Sequence, residues 1–185
     1  HKDNAGNEGV IEPGGVQWMT AGKGILHSEM PEQEEGLLKG FQLWVNLPAK
    51  AKMGEPEYQE FSPESTPLER RENGIEIRVI AGKTNQGTVG PVVNAHTYPT
   101  YMDVSLPANT DFGQSLSTDH NAFFYVIEGE VAVQGDEKVS AKNLVILSKG
   151  DNVSVTSGDK GARFLLIAGK PLNESVARMG PFVMN

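Results

Sequence analysis

The sequence has 185 residues, enough for one large domain or two small ones, and its hydrophobic fraction of 38% can fill a packed core. Its 16 Lys and Arg are outnumbered by 24 Asp and Glu, for a formal net charge of −8. A phosphate-neutralising groove needs clustered basic residues, so direct nucleic-acid binding is not expected. With no cysteine, disulfides, zinc-thiolate sites and thiol nucleophiles are excluded together.

No apolar run reaches membrane-spanning length. The cysteine-free composition fits a reducing interior, and the expected location is cytoplasmic, or nuclear in a eukaryote.

Short β-rich runs alternate with Gly, Pro and Asp along most of the chain. Strands are expected at 9–12, 16–20, 24–29 and 40–47, then at 75–81, 100–106, 122–128, 130–134, 144–147 and 163–168. Strands this short and evenly spaced read as an all-β sandwich or barrel. The clearest alternation is Ile75-Glu76-Ile77-Arg78-Val79-Ile80, the pattern of a strand with one wet face. Helical turns are expected only at 48–53 and 173–179. Pro48, Pro56, Pro63 and Pro67 fall among Glu and Lys residues, so 48–74 reads as a solvated linker between domains at 1–47 and 75–185. The acidic run at 32–35 reads as a wet loop.

A weak internal repeat is present. Gly14-Gly15 precedes His27-Ser28-Glu29 at the spacing with which Gly150-Asp151 precedes Arg163-Phe164-Leu165. Two diverged copies of one small barrel would look like this. On this repeat Arg163 stands for His27 and Leu165 for Glu29, and the second copy is expected to lack metal chemistry.

Residues 14–31, GGVQWMTAGKGILHSEMP, carry the candidate chemistry. They read as two strands around a Gly-rich turn, and His27 and Glu29 are two apart on the second. Side chains at i and i+2 of a strand share a face. An imidazole and a carboxylate side by side suit two ligands of one metal ion, and such mixed sets with open positions suit non-haem Fe(II). The same spacing also describes a partly exposed polar pair at a strand end. His96 and His120 have no partner at convincing ligand spacing and read as loop histidines. Arg163 reads either as a charged replacement filling a vacated pocket or as a surface strand residue. Trp18, Met19, Phe41 and Trp44 read as core, with a pocket for a planar aromatic molecule as the other possibility.

Three blocks in this order resemble the pirin family of the cupin superfamily: GVQWMTAGKGILHSEMP at 15–31, GFQLWVNLPAKAKMGEPEYQEF at 40–61 and RFLLIAGKPLNESVARMGPFVMN at 163–185. The resemblance implies a bicupin, two small β-barrel (jelly-roll) domains, with iron in the N-terminal one alone. It also implies three histidine ligands and one glutamate, of which His27 and Glu29 match two. The other two come from an upstream H-x-H motif, and no H-x-H occurs in this sequence. His1 matches a family position downstream of that motif and is not expected to substitute. The expectation is a chain shortened at both ends, its N-terminal barrel incomplete and its strand edges and apolar surface exposed over 1–47.

By the same resemblance the cofactor is Fe(II), or another divalent metal, and the activity is of the quercetin 2,3-dioxygenase type on a flavonol-like small molecule. His27 and Glu29 would be metal ligands, and Glu29 would also take the substrate hydroxyl proton. One alternative is a non-enzymatic, iron- and redox-dependent regulator that binds a transcription factor or a metabolic enzyme. Another is a metal-free structural cupin fragment.

Overall fold

A computed structural model describes residues 1–4, 6–32, 35–133 and 137–185. The chain forms two compact units: His1–Ser62 together with Leu172–Asn185, and Pro63–Pro171. The all-β expectation is met, since the one helical element among the described residues is a 3-10 turn at Ala49–Ala51.

The first unit opens with β1 (Lys2–Asp3), β2 (Val16–Thr20), β3 (His27–Ser28) and β4 (Glu57–Phe61). Strand β2 runs antiparallel to β4, with Val16 opposite Phe61 and Thr20 opposite Glu57. Strand β1 pairs antiparallel with β3. The stretch 48–74, expected as a linker with little regular structure, holds the 3-10 turn, β4 and a further short strand at Leu68–Arg70, and the compact units divide inside it, between Ser62 and Pro63. The strands expected at 9–12 and 40–47 do not form, and the one expected at 24–29 is reduced to His27–Ser28. A strand is defined by a ladder partner, and β propensity without one is insufficient. Leu26, Leu37, Leu38 and Trp44 are accordingly exposed.

The second unit contains β5 (Leu68–Arg70), β6 (Glu76–Ala81), β7 (Thr100–Leu106), β8 (Asp111–Ser115), β9 (Asn121–Val133), β10 (Glu137–Ser140), β11 (Leu144–Ile146) and β12 (Asn152–Gly169). They form one sheet in the order β10-β9-β12-β7-β6-β5, with β11 on β9 and β8 on β12. Alternation read along the sequence translates into burial: Ile77 and Val79 of β6, and Met102, Val104 and Leu106 of β7, point into one core. Phe164 of β12 lies at its centre, edge-on to Phe112 at 5.6 Å between ring centroids and tilted against Phe124 at 5.8 Å.

Two strands are longer than expected. Runs 122–128 and 130–134 belong to a single strand, β9, and 163–168 is the second half of β12. The first half of β12 pairs with β8 and the second with β7, across a register shift between Ser157 and Ala162. Gly161, at φ +75°, sits in that shift; a Cβ there would stand 2.5 Å from the Leu106 carbonyl oxygen. The Gly-containing stretch before the expected strand at 163–168 is thus a bulge within a continuous strand. The end of the strand expected at 130–134 and part of the acidic run at 32–35 lie outside the described residues.

The chain returns to the first unit in a hairpin, β13 (Ala177–Met179) and β14 (Phe182–Met184). In place of the helical turn expected at 173–179, Gly180-Pro181 turns the chain, and the two strands satisfy each other's backbone. Polar pins hold the segment within that unit. Lys52 Nζ donates to the Val183 carbonyl at 2.7 Å and to Asn46 Oδ1, and the Ala49 amide donates to Glu174 Oε2 at 2.7 Å. Burial lowers the Lys52 ammonium pKa, partly opposed by Glu174.

The buried carboxylate of the second unit is Glu69, whose side chain is 5% exposed. It accepts from Arg71 Nε at 2.8 Å and from the Thr84 hydroxyl. Burial alone would raise its pKa, but the hydrogen bonds from Thr84, Thr88 and Arg71, with the Arg71 charge, outweigh that and lower it below 4.5. A depressed carboxylate stabilises the fold above its unfolded pKa, and that contribution disappears as pH falls through the folded value. Denaturant melts of the wild type should thus lose stability progressively below pH 4.5, and Glu69→Gln should flatten that dependence. Because the substitution strands the Arg71 charge, it should also cost about 3 kcal/mol at neutral pH. Phe164→Ala should destabilise the second unit by about 3–5 kcal/mol in the same assay, as loss of a central aromatic leaves a cavity.

Candidate functional site

The candidate residues lie where β1 and β3 meet. Lys2 stands opposite Ser28 and Asp3 opposite His27, which sets His1 opposite Glu29. Alternation then turns His1, Asp3, His27 and Glu29 to one face. The pairing is secured by the Asn4 amide donating to the Leu26 carbonyl at 2.9 Å and the Leu26 amide to Asn4 Oδ1 at 3.1 Å. His1 is fixed by a two-way backbone exchange, its N–H donating to the Gly9 carbonyl at 2.9 Å and the Gly9 amide to its carbonyl at 3.1 Å. Asp3 is engaged locally, accepting from the Asn7 amide at 2.8 Å and the Asn7 side chain at 2.7 Å. Before β3, the turn at 21–24 is docked by the Lys23 amide on the Gly54 carbonyl at 2.8 Å. Gly22, at φ +52°, fits there because a Cβ would come within 2.2 Å of that same oxygen.

His27 Nε2 and Glu29 Oε1 are 4.0 Å apart, with their side chains 32% and 59% exposed. His1 Nδ1 is also 4.0 Å from Glu29 Oε1, but its side chain is only 4% exposed. The His1 ring lies 5.3 Å from the His27 ring and stacks on Tyr58 at 5.2 Å and 20°. Tyr58 donates its hydroxyl to Glu60 at 2.9 Å. Burial raises the Tyr58 phenol pKa, and the Glu60 hydrogen bond, the Glu60 charge and the Asp3 charge add to the rise. His1 Nε2 is buried and makes no hydrogen bond to a described residue.

The donor chemistry of His27 and Glu29 fits a divalent metal. Imidazole nitrogen and carboxylate oxygen each bind such ions at about 2.0–2.2 Å, so two donors facing each other across 4.0 Å can flank one. They amount to part of a ligand set. Among the described residues no group of three or more His, Cys, Asp or Glu side chains is arranged to hold a metal ion.

His1, set aside on sequence grounds, is the residue that sequence reasoning missed. Nothing in its spacing from His27 signals proximity; the β1–β3 register alone creates it. Tyr58 reaches His1 only through β4, a strand that the residues 57–61 do not signal by alternation. Phe41 and Trp44, expected as core, are exposed instead, and one face of Trp44 is covered by the Arg178 guanidinium at 5.4 Å. Trp18 and Met19 are half-buried on β2. His96 is exposed. His120 occupies a turn as expected, yet its side chain is 12% exposed, 3.8 Å from Asp119. Arg163 is a strand residue bound bidentately to Asp103, at 2.9 and 2.6 Å. That hydrogen bonding, with Asp103 and Glu128 nearby, raises the Arg163 pKa against the opposing effect of burial. No helix among the described residues is long and apolar enough to cross a membrane, which says nothing of a membrane-spanning β-barrel.

Comparison with known proteins gives a consistent result. Residues 1–45 match the Pirin family model, and residues 101–185 match the Pirin C-terminal cupin domain. The chain is 52% identical over 185 residues to a pirin-like protein of Caulobacter vibrioides, covering all of this chain and 66% of the relative. The crystal structure of a quercetin 2,3-dioxygenase from Acinetobacter baumannii superposes with a TM-score of 0.88 at 34% identity, over 100% of this chain and 65% of that one. A Geobacillus kaustophilus crystal structure does so with a TM-score of 0.81 at 32% identity, over 95% of this chain and 71% of that one. The chain thus spans about two thirds of the length of the relatives it matches.

The shift at Tyr58 is open to direct measurement. An ordinary tyrosine ionises near pH 10, so an ultraviolet titration through that range should give the same phenolate rise in the wild type and in Tyr58→Phe. A smaller rise in the variant would show Tyr58 ionising normally.

Proposed function

Because this chain belongs to the pirin family, with the bicupin fold, we propose that it carries part of the catalytic centre of an iron-dependent dioxygenase of the quercetin 2,3-dioxygenase type. The observation that carries the reading is the facing pair, His27 Nε2 and Glu29 Oε1 at 4.0 Å on one strand end, in a chain similar to a structure named for that activity. His27 and Glu29 would hold the ion, with Fe(II) the metal suited to a mixed imidazole–carboxylate set. When bound, the ion supplies a Lewis-acid site at which a flavonol-like substrate and O₂ can meet.

The chain's own residues have defined tasks in this reading. His27 offers a neutral nitrogen from a strand whose partner fixes its direction. Glu29 accepts the proton of the substrate hydroxyl on a carboxylate oxygen, within reach of solvent for its later release. The half-buried Trp18 and Met19 lie on β2 of the same unit and offer apolar surface to a planar molecule.

One observation favours a second reading. A net charge of −8 suits association with a basic protein partner, as expected of an iron-dependent regulator of a transcription factor or a metabolic enzyme. A cytoplasmic location accords with either.

The deciding experiment is oxygen uptake with quercetin, using the full-length protein loaded with Fe(II). Uptake should disappear with a chelator and in His27→Ala, and should fall at least about a hundredfold in Glu29→Gln, the scale of a lost general base. Undiminished uptake in His27→Ala would sink the proposal. Full iron occupancy without uptake, joined to partner binding that follows the iron's oxidation state, would establish the regulator.

A further inference from the structure

We infer that His1 is a positioning residue for the proposed metal-binding pair: its imidazole, clamped on Tyr58, holds the Glu29 carboxylate toward His27. The inference rests on the metal-site reading above and adds a residue to it.

Two contrasts carry the argument. The first is between a fixed group and a mobile one. The His1 side chain is 4% exposed, its backbone is bonded to Gly9 in both directions, and its ring stacks on Tyr58 at 5.2 Å. Tyr58 is itself anchored to Glu60 through its hydroxyl. Glu29, by contrast, is a long side chain that is 59% exposed, free to sample rotamers unless a neighbour selects one. A carboxylate that must face His27 each time a ligand arrives gains from a rigid neighbour that restricts it.

The second contrast is between the two nitrogens of His1. Nδ1 faces Glu29 Oε1 at 4.0 Å, while Nε2 is buried without a hydrogen-bond partner among the described residues. A proton is best placed on the nitrogen that faces an acceptor, and a buried N–H without a partner is the rarer and more expensive arrangement. The neutral tautomer with hydrogen on Nδ1 satisfies both demands. At 4.0 Å the contact is longer than a hydrogen bond, and a rotamer adjustment of the exposed carboxylate closes it, whereas the clamped ring has no comparable freedom. Glu29 Oε1 is also 4.0 Å from His27 Nε2, so the oxygen is equally distant from the two imidazoles, one a ligand and the other a guide.

The test is Co(II) binding to the full-length protein, followed by visible absorption, which reads the site without turnover. His27→Ala should abolish the signal. His1→Phe keeps the stack and removes Nδ1–H, and should weaken binding about ten- to a hundredfold, the usual effect of losing a residue that orients a metal ligand. His1→Asn places an amide N–H near the position of Nδ1 without the stack on Tyr58, and should recover part of the affinity lost in His1→Phe. Wild-type affinity in His1→Phe, or equal loss in His1→Phe and His1→Asn, would overturn the positioning role while leaving the metal site standing. No Co(II) binding by the wild type, or binding indifferent to His27→Ala, would overturn the metal site and this inference together. Should His1→Phe fail to fold, Tyr58→Leu unclamps the ring with both nitrogens present, and unchanged affinity there would equally overturn the inference.

Discussion

Strand β12 serves two neighbours in succession, and the second unit depends on that exchange. Its first half completes the ladder of β8 and its second half the ladder of β7, with β9 alongside both. A flat strand could not do this without twisting its side chains out of phase with the core. The bulge between Ser157 and Ala162 absorbs the mismatch, and it needs a close backbone approach at Gly161. With that bend in place, Val153, Val155, Phe164 and Leu166 all enter one core, where Phe164 meets Phe112 and Phe124.

The two units are stabilised by different means. The second has a continuous apolar cluster, and its buried charge, Glu69, is satisfied by Arg71 and Thr84, so burial there follows the usual rule that an interior charge must be paired and hydrogen-bonded. The first unit is held largely by polar attachments: Lys52 on Val183, Glu174 on the amide of Ala49, Asn4 on Leu26, Lys23 on Gly54. Each contributes modestly on its own. Together they fix short strands whose apolar neighbours, such as Leu26, Leu37 and Leu38, remain exposed.

The proposed metal-binding pair depends on backbone pairing. His27 and Glu29 would share a face in any strand, but β1 is what gives that strand a partner and brings a third polar side chain, His1, to it. The stacked pair His1 and Tyr58 is contributed by β1's edge and by β4, so two separated stretches of sequence place imidazoles beside the Glu29 carboxylate and a third holds one of them. Fold alone does not assign a reaction, since cupin barrels host many functions. The distinguishing information lies in these side chains and their spacing.

The sequence by itself determined the all-β class, strands β2 and β7 to the residue, and the i, i+2 spacing of His27 and Glu29. These are local properties: alternation with period two, turn residues and a contiguous motif suffice to read them. Only the tertiary structure decided that 57–61 is a strand, that 9–12 and 40–47 are not, that 173–179 leads into a hairpin, and that His1 stands beside Glu29. Each depends on which distant segment supplies hydrogen bonds. Glu57–Phe61 carries little apolar alternation, yet pairs with Val16–Thr20, whereas the apolar run at 40–47 finds no ladder. A strand's existence is a property of the pair, and a single sequence window holds half of it.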